Sequence, residues 1–108
     1  MTLMETMDAL IAEGYVPKRN GKMIKFNIKA TDTPIENLDL PTRAYNGLRR
    51  AGCVRIEDVI DIINRGDVAL IPSCGKKSIK DIENRILEWH WSMLNPIGQA
   101  AFIKEIFI

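Results

Sequence analysis

Leu38-Asp-Leu-Pro-Thr-Arg-Ala-Tyr-Asn-Gly-Leu-Arg-Arg50 is the stretch on which the reading of this protein turns. Thr42 has the side chain of a helix cap, and a helix begun there takes Arg43 as its first residue, with Asn46 three positions on along the same face. A helix N-terminus carries free N–H groups and about half a positive charge, so an arginine there opposes its own helix unless an anion sits nearby. The placement points to phosphate. A second stretch, Pro72-Ser-Cys-Gly-Lys-Lys-Ser78, repeats the arrangement, a glycine turn feeding Lys76, Lys77 and Ser78 into another helix start at Gly75.

Working outward, the first main helix is expected from about Arg43 to Ala51, with Tyr45, Leu48 and Ala51 as its inner stripe and Gly52 as its stop. Upstream, Ile35 to Leu40 turns Leu38 and Leu40 inward. A second helix covers about Ile56 to Arg65, with Val59, Ile60, Ile62 and Ile63 apolar and Gly66 at its end. After a short turn from Asp67 to Ile71, a long helix starts near Lys76. Its Ile79, Ile82, Ile86 and Trp89 keep the 3,4,3 spacing of a core-facing stripe.

The two ends add smaller pieces. Thr2-Leu-Met-Glu5 has the spacing of a capping box, and Leu3, Met7, Leu10 and Ile11 form an apolar stripe ending at Gly14. Tyr15-Val-Pro-Lys-Arg and Lys22-Met-Ile-Lys-Phe-Asn-Ile flank Asn20-Gly21, the dipeptide of two-residue hairpin turns, so a β-hairpin is expected, with Pro17 suited only to an edge. Ala30 to Pro34 reads as a joint. Asn95-Pro96 caps and opens an apolar tail helix, which either covers the core of its own domain, against the hairpin, or forms a patch for a second copy or a partner. The expected division is therefore 1–34, helix and hairpin extension; 35–92, the main domain; and 93–108, the apolar helix. The fold class is mainly α, a compact helical bundle built on helix-hairpin-helix motifs.

Composition limits the alternatives. With 108 residues, 46% hydrophobic and 27% charged, the protein can bury one core, and no apolar run is long enough to span a membrane. Its start carries acids and neither a basic leader nor a small-residue cleavage site, so no secretory signal is read and a cytoplasmic location is expected. Cys53 and Cys74 fit no zinc spacing and read as reduced, packed thiols; neither metal nor cofactor is expected. Net charge is only +1, yet Arg43, Arg49, Arg50 and Arg55 cluster without an acid between residues 41 and 55, as do Lys76, Lys77 and Lys80 between 75 and 80. Such runs also occur on ordinary solvated helices.

Asp67 to Ser78 fits a helix-hairpin-helix phosphate clamp, in which Gly75 lets the backbone approach a phosphate, Lys76 and Lys77 add charge, and Ser78 offers a hydroxyl. Its plainer reading is a glycine turn with solvated lysines. The likeness of Gly-Lys-Lys-Ser to a P-loop fails, because Lys77 stands where Ser or Thr is needed and Leu70 where the first Gly belongs. His90, between Trp89 and Trp91, has no carboxylate or nucleophile at a motif spacing, so packing is its expected role, and no enzyme is read.

Taken together, Ile35 to Trp89, with Leu-Asp-Leu-Pro-Thr-Arg-Ala-Tyr-Asn-Gly-Leu-Arg-Arg-Ala-Gly, Ile-Glu-Asp-Val and Cys-Gly-Lys-Lys-Ser-Ile-Lys-Asp-Ile, resembles the C-terminal domain of the bacterial RNA polymerase α subunit. The resemblance implies a helical domain that binds the minor groove of A·T-rich double-stranded promoter DNA and is touched by transcription activators. By the same resemblance the position of Arg43 enters the groove, that of Asn46 supports backbone and base-edge contacts, and those of Gly75, Lys77 and Ser78 meet phosphates. Arg49, Arg50 and Lys76 are auxiliary charge. Two departures stand out: Gly47 replaces a small side chain such as Cys, and Asp81 replaces the usual Glu. No segment is expected to correspond to the family's assembly domain.

The expected function is thus a non-enzymatic DNA-binding module of transcription. The alternative is a module that docks on a transcription regulator or on RNA polymerase with little DNA affinity, and a third reading is a sequence-blind helix-hairpin-helix accessory of DNA repair.

Overall fold

The structure is a computed structural model and describes residues 1–17, 32–71 and 75–107. Those residues form five α-helices: α1 (Leu3–Ala12), α2 (Thr42–Arg50), α3 (Ile56–Arg65), α4 (Lys76–Met93) and α5 (Pro96–Ile106). Short 3₁₀ turns at Ile35–Leu38 and Val68–Leu70 precede α2 and α4. The architecture is the mainly α one expected. No strand is present among the described residues, only isolated antiparallel bridges between Pro17 and Phe107 and between Pro34 and Arg55. The hairpin turn expected at Asn20-Gly21 lies outside the described residues.

Each helix begins and ends where local chemistry requires. Thr2 Oγ1 accepts from the Glu5 amide at 3.1 Å while Glu5 Oε1 accepts from the Thr2 amide at 3.0 Å, completing the capping box of α1. Asn95 caps α5 through a 2.8 Å bond from the Gly98 amide, with Pro96 at the first helical position. Helix α2 departs from expectation at its start. Pro41, not Thr42, is the N-cap, because its fixed φ of −55° suits the extended cap residue and its carbonyl accepts from the Tyr45 amide at 3.0 Å. At the far end Gly52, at φ +86°, lets its own amide and that of Cys53 turn back to the Arg49 and Leu48 carbonyls at 3.1 and 2.9 Å, a Schellman closure. Gly66, at φ +79°, closes α3 in the same way onto Ile63 and Ile62.

Helix α4 is the spine, with α1, α2 and the Ile35–Leu38 turn all packed against it. Ile82 and Ile86 are wholly buried in it, facing a core that includes Ile35, Leu48, Ile56 and Val59, each also at 0% exposure. Burying side chains of this size contributes about 1.5–3 kcal/mol apiece, so the core rather than helix propensity holds the bundle. The inner face of α2 is rotated from the expected stripe: Ala44, Gly47 and Leu48 are buried, whereas Tyr45 and Ala51 are half-buried. In α1, Leu3 is buried and Met7 and Leu10 pack on the core, but Ile11 is 45% exposed, because it lies at the far edge of the stripe.

The ends are fastened to α4 across the length of the sequence. Glu88 Oε1 accepts from the Leu3 amide at 2.6 Å and the Met4 amide at 3.3 Å, placing a carboxylate at the positive end of α1. Trp91 Nε1 donates to the Met1 carbonyl at 3.1 Å. The tail packs inward through Phe102, Ile106 and Phe107, all buried, and Tyr15 meets Phe107 edge-on at 6.4 Å. His90 lies at 5.0 Å from Phe102 in a T-shaped contact, and burial holds its imidazole below the usual range against an opposing pull from Glu105.

Candidate nucleic-acid interface

Helices α2 and α4, which carry the residues singled out above, pack against each other. On α2, Arg43, Asn46 and Arg50 follow i, i+3, i+7 spacing and are all exposed, as is Arg49 beside them. On α4, Gly75 is the N-cap, and Lys76, Lys77 and Ser78 form the first turn; the two lysines are exposed and Ser78 is half-buried. Among the described residues no salt bridge engages Arg43, Arg49, Arg50, Lys76, Lys77 or Lys80.

The five helix starts differ in how their N–H groups are met. Those of α1 and α5 have side-chain acceptors, and that of α3 has Glu57 and Asp58 in its first turn. Those of α2 and α4 have neither, since Pro41 and Gly75 offer no side-chain acceptor and no acid lies in either first turn. Both open N-termini bear basic residues. A cation at the positive end of a helix dipole is unfavourable by itself, so this pairing of open N–H groups with Arg43, Lys76 and Lys77 suits an incoming anion rather than the free protein.

Arg55, grouped by sequence with the other arginines, is compensated. Its guanidinium meets Asp32 at 3.1 Å, Asp58 at 3.2 Å and Glu57 at 3.9 Å, which holds its proton still more firmly than usual, the Asp32 hydrogen bond foremost. Asp58 also accepts from the Val54 and Arg55 amides, both at 3.0 Å, and these two bonds set its carboxyl below the ordinary range. The segment before it is tied in as well: the Ile35 amide donates to the Val54 carbonyl at 3.1 Å and the Ile56 amide to the Thr33 carbonyl at 2.8 Å. Residues 32–35 are thus bonded to the α2–α3 connection, a feature without local signature in the sequence.

One polar pair beside the site has no signal in the sequence spacing. The Tyr45 hydroxyl donates to Glu36 Oε2 at 2.6 Å, and this bond is the main reason the Glu36 carboxyl lies below its ordinary range and the Tyr45 phenol above its own. The charge of Arg49 acts on both in the lowering direction. Tyr45 therefore holds an acid close to the exposed arginine face of α2. Cys53 is a free, buried thiol pushed up by its burial and secondarily by the charge of Asp58.

The family model for the C-terminal domain of the bacterial RNA polymerase alpha subunit matches residues 23–88. This protein belongs to that family. The DNA-directed RNA polymerase subunit alpha of Roseiflexus sp. (strain RS-1) is 37% identical over 70 residues, 65% of the present sequence and 21% of that subunit. That of Herpetosiphon aurantiacus is 36% identical over 87 residues, 81% of the present sequence and 25% of its own length. That of Mycoplasmoides gallisepticum is 33% identical over 69 residues, 64% of the present sequence and 21% of its own length. The protein spans about a fifth to a quarter of these curated relatives. No solved structure matches it. The alpha C-terminal domain is a non-catalytic, DNA-binding part of the transcription machinery. Among the described residues no helix is long and apolar enough to cross a membrane.

Proposed function

We propose that this alpha C-terminal-domain protein binds double-stranded DNA at A·T-rich minor groove, with α2 supplying the groove contact and the start of α4 the phosphate contacts. In this reading Arg43 enters the groove, where a narrow A·T tract concentrates negative potential, and Asn46 bonds sugar or base edge beside it. Gly75, Lys77 and Ser78 take flanking phosphates through backbone amide, ammonium and hydroxyl. Arg49, Arg50 and Lys76 add charge around the contact. The DNA-reading unit is residues 35–92, with 1–34 and 93–108 as additions to it. RNA polymerase or a transcription regulator is its expected protein partner.

The observation that carries the proposal is the contrast among helix starts. Of the five described, only the two that bear exposed basic residues outside any salt bridge lack side-chain caps and acids, so their N–H groups and charges together await an anion. The test is titration of an A·T-rich duplex at several salt concentrations with the natural protein and with Arg43→Ala. A marked loss of affinity in the variant supports the groove role. Equal affinity for the two proteins refutes it, and no duplex binding even at low salt leaves protein docking as the module's role.

A further inference from the structure

The three arginines of α2 do not stand in the same surroundings. Arg43 and Arg50, with Asn46 between them, share the exposed strip of i, i+3, i+7 spacing, and among the described residues none of the three has an ion pair or a side-chain hydrogen bond. Arg49 lies on the flank of that strip, about a third of a turn around the helix from Arg43 and one turn beyond Tyr45. Its charge is felt by both the Glu36 carboxyl and the Tyr45 phenol.

Glu36 differs from an ordinary surface acid. Its carboxylate accepts the Tyr45 hydroxyl at 2.6 Å, a short, charge-assisted bond. Both ends of that bond are anchored: Glu36 stands in the Ile35–Leu38 turn, whose Ile35 and Leu38 are buried, and Tyr45 packs half-buried against the core. An exposed acid loses most of its pull on a neighbouring base to side-chain freedom and solvent. Here the tyrosine has already restricted the carboxylate. Because the bond itself lies at the surface, where hydroxyl and carboxylate could equally be met by water, what it chiefly secures is the position of a negative charge beside Arg49.

We propose that the Glu36 carboxylate, held by Tyr45, is a built-in stand-in for a DNA phosphate beside Arg49, screening that arginine from the duplex. The inference rests on the DNA-binding reading above and refines it. Arg43 and Asn46 stay unscreened to meet the groove, while the attraction of Arg49 for any phosphate backbone is held down. Phosphate contacts strengthen binding to every sequence alike and base-edge contacts discriminate, so a screened Arg49 limits retention on non-target DNA.

Fluorescence anisotropy of labelled A·T-rich and G·C-rich duplexes over a range of salt tests this with Glu36→Gln, Tyr45→Phe, Arg49→Ala and the double variants. Glutamine still accepts the Tyr45 hydroxyl, so the fold is kept, as thermal unfolding by circular dichroism checks, and the charge alone is removed. Glu36→Gln raises affinity for both duplexes at least about fivefold at moderate salt and steepens the slope of log affinity against log salt by about 0.9, the mark of one added phosphate contact. In an Arg49→Ala background the same substitution changes affinity less than about twofold, which separates the screening of Arg49 from a general gain in net charge. Tyr45→Phe gives part of the gain, since the released carboxylate spreads over solvent-facing rotamers, and adds nothing once Glu36 is glutamine. Unchanged affinity in Glu36→Gln, a gain as large without Arg49, or a Tyr45→Phe variant of natural affinity overturns the proposal. If Arg43→Ala still loses binding in any of those cases, the groove reading stands and this inference alone falls; a natural protein and a Glu36→Gln variant that both bind no duplex overturn the two together.

Discussion

Replacing Lys77 by glutamate should make the protein more stable and worse at binding DNA. Lys77 is the second residue of α4, exposed, in a first turn whose N-cap is a glycine and which contains no acid. A cation there works against the helix dipole by about 0.3–0.5 kcal/mol when exposed, and an anion gains about as much, so reversal yields about 0.6–1 kcal/mol. For a domain of this size that is about 3–6 °C in melting temperature. The same change removes one phosphate contact, which lowers the slope of log affinity against log salt by about 0.9, and adds repulsion, for a loss of at least about tenfold at moderate salt. Thermal unfolding followed by circular dichroism, at low and at high salt, reads the first effect, which high salt should screen. Fluorescence anisotropy of a labelled duplex reads the second. A lower melting temperature at low salt, or unchanged duplex affinity, refutes the reasoning that these helix starts are kept uncapped for an anion.

Other outcomes follow from the packing and the ion pairs. Leu48→Ala, at a wholly buried position joining α2 to the core, should cost about 2–5 kcal/mol in chemical denaturation; a loss well under 1 kcal/mol would contradict the core described. Asp58→Asn should cost about 1 kcal/mol near neutrality through its two amide bonds. Because folding lowers this carboxyl, its contribution is present above the ordinary value near 3.8 and lost as pH falls through the lower folded value, so natural and variant stabilities should converge in acid. Glu88→Gln should speed amide hydrogen exchange in α1 while leaving DNA affinity unaltered, and equal exchange would deny Glu88 its anchoring role. His90 resists protonation in the fold, so stability should decline as pH drops below about 6.5 toward its lowered folded value, a decline that His90→Gln removes.

What was legible in the sequence was local. The Thr2–Glu5 box, the Asn95–Pro96 start, and the Gly52 and Gly66 stops depend on residues within a few positions, and each forms as its spacing implies. The start of α2 differs from its expected place by one residue because two chemistries compete there, a threonine hydroxyl and a proline whose φ is already fixed, and the proline prevails. What escaped was non-local. Arg55 belongs by sequence to the basic face, yet Asp32, 23 positions away, lies against it. Glu88 meets the start of α1 from 85 positions away, and Tyr45, a core residue by its spacing, spends its hydroxyl on Glu36. The exposure of Arg43, Asn46, Lys76 and Lys77 is implied by their spacing opposite apolar residues, which is why the proposed interface could be outlined from the sequence while its compensating acids could not.

The central claim is that Arg43 reads the minor groove, and binding to three duplexes of matched length tests it most directly: A·T-rich, G·C-rich, and one with inosine–cytosine pairs. Inosine lacks the guanine N2 amino group, so the third duplex presents an A·T-like minor groove and a G·C-like major groove. The natural protein should bind the A·T and inosine duplexes alike and several-fold more tightly than the G·C duplex, and Arg43→Ala should bind all three equally and weakly. An inosine duplex bound like G·C, or an Arg43→Ala variant that retains the preference, would contradict the claim.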